Sequence, residues 1–217
     1  SAFHYGSGYS SRGARRYVFT WNESKFPDPK ALNARFHAHG MKLVANIKPC
    51  LLDDHPAWDE VRAFGGFVHD ARTREPVLEP FWDGMGAHLD FTHARTIAWW
   101  QARLDAQVLA YGIDAGWNDN NEYAVLDEAA QCDGFGLALP MHRCRPLHAL
   151  LMTRATIEAQ RERAVKVNPP RDRAAEVNPQ HPTHGPDVEL GLMRPDEGVL
   201  HWDSRAKYAV AFFRISR

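Results

Sequence analysis

GIDAGWNDNNEY, Gly112 to Tyr123, is a short apolar run that stops abruptly in Asp119, Asn120, Asn121 and Glu122. A buried strand carrying carboxylates and amides at its C-terminal tip is how a β/α barrel presents catalytic groups. Immediately upstream, residues 92–110 set Ile97, Trp100, Leu104, Val108 and Leu109 on one stripe, which predicts an amphipathic helix closed by Tyr111 and Gly112. Further back, MKLVANI (residues 41–47) predicts a buried strand stopped by Pro49, and Pro27-Asp28-Pro29 opens a helix through Ala31, Leu32 and Phe36 toward Met41. RYVFTW (residues 16–21) is rich in strand formers, and residues 56–64 predict a short helix before Gly65-Gly66. Downstream, residues 142–163 predict a helix with Leu147, Leu150, Leu151, Ala155 and Ile157 apolar. Alternating strands and helices at this spacing mean parallel β/α architecture, either a barrel or a doubly wound sheet.

Two regions depart from the alternation. Residues 67–77 predict a small polar β-hairpin, read as a loop insertion. After Ala164 the chain becomes rich in Pro, Asn, His and Arg, with too little apolar content for a core, so residues 165–217 are expected to be an irregular, poorly ordered tail beside a domain at 1–164. KYAVAFFRI (residues 207–215) alone regains strand-like apolarity.

Bulk properties exclude several function classes. Lys and Arg number 26 against 27 Asp and Glu, so no overall charge draws the chain to nucleic acid or an anionic membrane. No apolar run reaches the roughly 18 residues of a membrane span, and the polar, glycine-rich start is not a signal peptide. Cys50, Cys132 and Cys144 show no metal-ligand spacing and form no close pair in sequence, and the odd count argues against a disulfide framework. The expectation is a cytoplasmic protein acting on a neutral small molecule, with no cofactor and no metal. Asp53-Asp54-His55 and His181-Pro182-Thr183-His184 look superficially like ligands but do not specify a site. The opening at Ser1 suggests a segment of something longer.

The strand ending Trp117-Asn118-Asp119-Asn120-Asn121-Glu122 resembles the nucleophile motif of glycoside hydrolase family 31, the retaining α-glucosidases and α-xylosidases. GYSSRG (residues 8–13) with FTWNESKFPDP (19–29), VANIKPCLL (44–52) and FWDGMGAHLDFTHARTIAWWQ (81–101) agree in order and spacing. The resemblance implies a partial (β/α)8 barrel, a carbohydrate substrate, and Asp119 as the group attacking the anomeric carbon. It also implies that Trp82 and Asp90 line the sugar pocket and that Lys48 sits where the family has another polar pocket residue. Retaining hydrolysis needs a carboxylate nucleophile and a second carboxylic acid about 5–5.5 Å away. Asn118, Asn120 and Asn121 are candidate donors that would keep the nucleophile ionised. Trp82 and Trp117 offer flat faces to a sugar ring, while Arg12, Lys48 and Asp90 can meet its hydroxyls. Glu122 is read as a supporting carboxylate. The candidate site is therefore Asp119 as nucleophile, with Lys48, Trp82, Asp90, Trp117, Asn120 and Glu122 on the substrate side.

Each residue also has a plainer reading. Asp119 fits a turn, Asp90 a cap for the helix near Thr92, Trp82 a core aromatic, and Lys48 a solvated strand end. The family's acid/base lies on a Trp-Ser-Gly-Asp-Asn-like segment after a helix such as 142–163, and nothing after Ala164 matches it; Asp203 in His201-Trp202-Asp203-Ser204 lacks the context. The chain is thus expected to be half a barrel followed by an unrelated tail, as a truncated or frame-shifted reading frame would leave, and to self-associate through the missing half. A sugar-binding or assembly fragment is the alternative. A metal-dependent hydrolase using His4, His88 or His93 ranks last.

Overall fold

The structure, a computed structural model, describes residues 11–12, 15–81 and 83–168. The chain starts with a two-stranded ribbon, β1 (Ser11–Arg12) and β2 (Arg15–Arg16). Residues 17–21 are not the expected strand. Phe19 takes a positive φ of 59° and Thr20 Oγ1 donates to the Tyr17 carbonyl, so the backbone turns while Tyr17, Phe19 and Trp21 bury their rings.

Helix α1 (Pro29–Ala38) begins where proline and aspartate dictate: Pro29 occupies the first turn, where its missing N–H costs nothing, and Asp28 Oδ1 caps Ala31 N at 2.9 Å. Strand β3 (Val44–Ile47) follows. Chain order continues through β4 (Cys50–Leu52), α2 (Trp58–Ala63), β5 (His69–Asp70), β6 (Glu79–Phe81) and β7 (Gly84–His88). Helix α3 (Ala94–Gln107) and a 3-10 turn (Leu109–Tyr111) then lead to β8 (Ala115–Asn118), β9 (Ala130–Cys132), β10 (Leu139–Pro140) and the long α4 (Met141–Val167). Gly112, in the left-handed region at φ 89°, reverses the chain into β8 as expected.

The parallel element is the pair β3–β8, in register from Val44 opposite Ala115 to Ile47 opposite Asn118. Helix α3 is the crossover between its strands, so the two form a βαβ unit. Residues between Ile47 and Ala94 are not a further β/α step, contrary to the alternation of strands and helices expected through the short helix at 56–64. They form an antiparallel insertion in which β7 lies between β4 and β6. A Cβ at Gly86 would sit 2.3 Å from the Leu51 carbonyl oxygen, so only glycine lets β7 approach β4 this closely. The expected hairpin at 67–77 is present: Val77 N donates to Val68 O, and Asp70 binds the backbone of Arg72 and Thr73 across the turn. It is joined by β9 and β10 into a second antiparallel sheet, so the insertion is larger than the sequence suggests.

The core is an aromatic cluster where α3 meets α4 and the loop 17–21. Trp100 is fully buried, with Phe19 edge-on at 4.9 Å and Phe91 at 5.2 Å, and its Nε1 donates to Thr156 Oγ1 at 3.0 Å. Helix α4 buries Met141, Cys144, His148, Met152, Ala155, Thr156 and Ala159, a stripe at three- and four-residue spacing. Leu147 and Leu150, expected on that face, are exposed; the stripe turns instead toward His148, whose ring stacks on Tyr123 at 4.2 Å. The helix runs three residues past Ala164. The tail from residue 169, including KYAVAFFRI and Asp203, lies outside the described residues. No described helix is long and apolar enough to cross a membrane.

Candidate active site

Parallel strands bring their C-terminal tips to one edge, and here the two tips carry Lys48 and Asp119. Asp119 N donates to Ile47 O at 2.9 Å, continuing the β3–β8 ladder by one rung, which fixes the carboxylate beside the end of β3. Asn46 and Lys48 stand two residues apart and so share a face of the strand. Both reach the same oxygen: Lys48 Nζ donates to Asp119 Oδ2 at 2.7 Å and Asn46 Nδ2 at 2.9 Å, while Lys48 Nζ also meets Asn46 Oδ1 at 2.5 Å. The carboxylate is nearly enclosed, with 11% of the side chain exposed. Its other oxygen, Oδ1, is buried and has no hydrogen-bond partner among the described residues.

Burial pushes the Asp119 carboxyl up, but the hydrogen bonds from Lys48 and Asn46, the Lys48 charge and the backbone N–H of Asn120 outweigh it and hold the group below the ordinary carboxylate range. One oxygen thus holds the charge in place while the other is left unpaired. An unsatisfied buried carboxylate oxygen is costly and calls for an explanation.

The supporting amides are not those expected. Asn118 Oδ1 accepts from Thr156 Oγ1 at 3.2 Å, tying the strand to α4, and Asn121 is buried. Asn46 does that work instead. Its signal was in the sequence: a polar residue inside the apolar run VANI, two before Lys48. Asn120 contributes through its backbone, at φ 53°, and Tyr123 also has a positive φ of 53°. Two such residues within five positions of the nucleophile candidate mark a strained turn. Trp117 is half-buried opposite Asn46, and Glu122 is exposed.

Asp90 is placed differently from the expected pocket. It is fully buried; Oδ1 accepts from Thr92 N at 2.9 Å and Thr92 Oγ1 at 2.5 Å, and Oδ2 accepts from Asp133 N at 2.6 Å. Its carboxylate joins the end of the insertion to the loop after β9, and burial raises its pKa despite those donors. It does not cap α3, whose N-cap is His93. Trp82 lies outside the described residues, as do His4, His181 and His184, and the side chain of Arg12 is not described. His55 is held by the Val18 carbonyl and the Ala57 N–H, so Asp53-Asp54-His55 is a structural turn.

The comparisons with known proteins give the family. The model of the "Glycosyl hydrolases family 31 TIM-barrel domain" matches residues 1–174. The chain belongs to glycoside hydrolase family 31. The bovine lysosomal alpha-glucosidase is 30% identical over 112 residues, covering 49% of this chain and 12% of that protein. An alpha-glucosidase of Saccharolobus solfataricus is 27% identical over 124 residues, 57% of this chain and 18% of that protein. The chain therefore spans less than a fifth of the length of these relatives. Among solved structures, a family 31 sulfoquinovosidase from E. rectale superposes with a TM-score of 0.62 at 18% identity, over 71% of this chain and 23% of that one. A Flavobacterium johnsoniae dextranase of the same family gives 0.61 at 20%, over 73% and 20%. These structural likenesses establish the fold: the family's α/β barrel domain, of which the described residues hold two adjacent parallel strands.

Proposed function

We propose that the chain carries the nucleophile of a retaining hydrolase of α-linked glycosides, with Asp119 as the attacking group. The observation that carries this reading is the asymmetric carboxylate, Oδ2 held by Lys48 and Asn46 and Oδ1 buried without a partner at the tip of a parallel strand. Attack by Oδ1 on the anomeric carbon forms a glycosyl ester as the aglycone leaves with the bond electrons; water then cleaves the ester, restoring the carboxylate. Lys48 keeps the carboxylate ionised before attack and offsets its charge. The family relatives support an O-glycosyl hydrolase.

The second carboxylic acid has no match in the sequence after the nucleophile strand, so hydrolysis of ordinary glycosides by this chain is expected to be absent or very weak. A glycosyl fluoride separates the two requirements, because fluoride leaves without being protonated. The 217-residue chain incubated with a 5-fluoro-α-glucosyl fluoride should gain one sugar on the peptide containing Asp119, with turnover of an aryl α-glucoside at background. An adduct on another carboxylate would overturn the nucleophile assignment. Rapid aryl α-glucoside turnover lost in Asp119→Asn would keep it and overturn the inactivity.

One observation favours a second reading. Among the described residues the parallel sheet has two strands only, which leaves one edge of each unpaired. A second polypeptide supplying parallel strands would cover them, and sedimentation or size-exclusion mass, with and without sugar, distinguishes such an assembly from a lone chain.

A further inference from the structure

Away from Asp119, the fold collects buried ligating side chains that the sequence keeps far apart. Ligand atoms of Asp90, Cys132 and His148 all lie within 4.8 Å of one another, and all three residues are buried. Asp90 follows the insertion, Cys132 ends β9 and His148 projects from α4. Cys144, also fully buried, sits one helical turn before His148 and shares a hydrogen bond with Cys132. The cysteines that show no close pair in the sequence are thus neighbours in space.

We propose that Cys132, His148 and Asp90 form a site for a thiophilic divalent cation of the zinc class. Zinc–sulfur and zinc–nitrogen bonds of about 2.3 and 2.0–2.1 Å, arranged tetrahedrally, place sulfur and nitrogen about 3.5 Å apart. Cys132 Sγ and His148 Nε2 stand 3.4 Å apart. The remaining groups are oriented as metal ligands usually are, by neighbours that fix them. Three donors occupy Asp90 and leave room for one more contact on a carboxylate with about four acceptor positions. The His148 ring is stacked on Tyr123 at 11° between planes, which presents Nε2 to Cys132. His148 Nδ1 is buried and unpartnered among the described residues. Met141 Sδ, 3.3 Å from Cys132 Sγ, closes the apolar side.

Charge supplies the physical reason. A buried carboxylate beside a buried thiol and a buried imidazole has no cation among these three residues. Binding a divalent cation breaks the Cys132 S–H bond, releases its proton to solvent and forms metal bonds to Sγ, Nε2 and one carboxylate oxygen. The ion would tie together the end of the insertion, β9 and α4. The strut would reach the nucleophile loop: Tyr123 rests on His148 and donates to Leu89 O, the residue before Asp90.

The test uses the reduced 217-residue chain, stripped with chelator and titrated with Co²⁺. One equivalent should bind with thiolate-to-cobalt charge-transfer and tetrahedral d–d absorption, be displaced by Zn²⁺, and raise Tm. Cys132→Ser and His148→Ala should each weaken binding by about tenfold or more and shrink the thiolate band. A titration of the unmutated chain without that band, a Cys132–Cys144 disulfide persisting under reductant, or a band unchanged in both variants overturns the proposal. Fluorosugar capture at Asp119 reads the nucleophile separately, so either assignment can fail alone.

Discussion

Strand β8 is flanked by two aspartates, Asp114 and Asp119, and both clamp it to β3, yet they are built in opposite ways. At the N-terminal end, Asp114 accepts from Leu43 N at 2.8 Å, His37 Nε2 at 2.8 Å and Lys42 Nζ at 2.9 Å, so both oxygens are engaged. At the C-terminal end, Asp119 concentrates its donors on one oxygen and leaves the other bare. Burial raises both carboxyls and hydrogen bonds more than reverse it in each case, so both remain ionised by different means. The fully satisfied carboxylate is a strand clamp; the half-satisfied one is the proposed nucleophile. The division matches barrels generally, where one face serves stability and the other chemistry.

The sharpest way to break this comparison is to neutralise each aspartate. Asp119→Asn should reduce fluorosugar capture by at least about a thousandfold, since the amide cannot form the ester, and should change Tm little. Capture persisting at the parent rate would remove Asp119 from the mechanism. Asp114→Ala should do the reverse, costing about 2 kcal/mol through the lost charged hydrogen bonds and leaving capture unchanged. The folded pKa of Asp114 is depressed, so its contribution is present above the unfolded carboxylate value of about 3.9 and is lost as pH falls through the folded value. Urea unfolding of parent and variant should therefore diverge at neutral pH and converge in acid; a gap constant with pH would mean packing, not charge, holds that end.

How much of this was legible in the sequence depended on whether the deciding contact was local. The β8 strand, the stripe of α3 and the Asp28-Pro29 helix start are local patterns, and each appears where its residues place it. Asp119 was legible because a strand tip announces itself. Asn46 was missed because its role depends on which strand lies beside VANI. The six residues of α2 read as a β/α step because a short helix in an insertion has the same pattern as one crossing a sheet. RYVFTW did not form the expected strand: Phe19 takes a positive φ, a turn that the alternation of its aromatic residues does not announce. Asp90 was assigned to a sugar pocket by resemblance, and only the fold shows its two oxygens facing Thr92 and Asp133.

Lys48 sharpens the comparison from the cationic side. In Lys48→Met the carboxyl of Asp119 keeps its burial and loses its strongest donor and nearest positive charge, so its pKa should rise. Capture requires the carboxylate, and the acid limb of its pH profile should move upward, with about a tenfold loss in rate on that limb. A limb left in place would show that Asn46 and the Asn120 N–H suffice.

The smallest effect serves as the reference for the others. Asp28→Ala removes the cap of α1, whose last turn carries His37 to Asp114, and should cost about 1 kcal/mol. The cap acts at the first turn, so loosening it should leave the His37–Asp114 contact made once the chain is folded. Chemical denaturation should then show Asp28→Ala and Asp114→Ala adding independently, because no partner is shared between the two sites. A double variant losing less than the sum would mean that the helix start and the strand clamp act as one unit, and the N-terminal end of the β3–β8 pair would extend the whole length of α1.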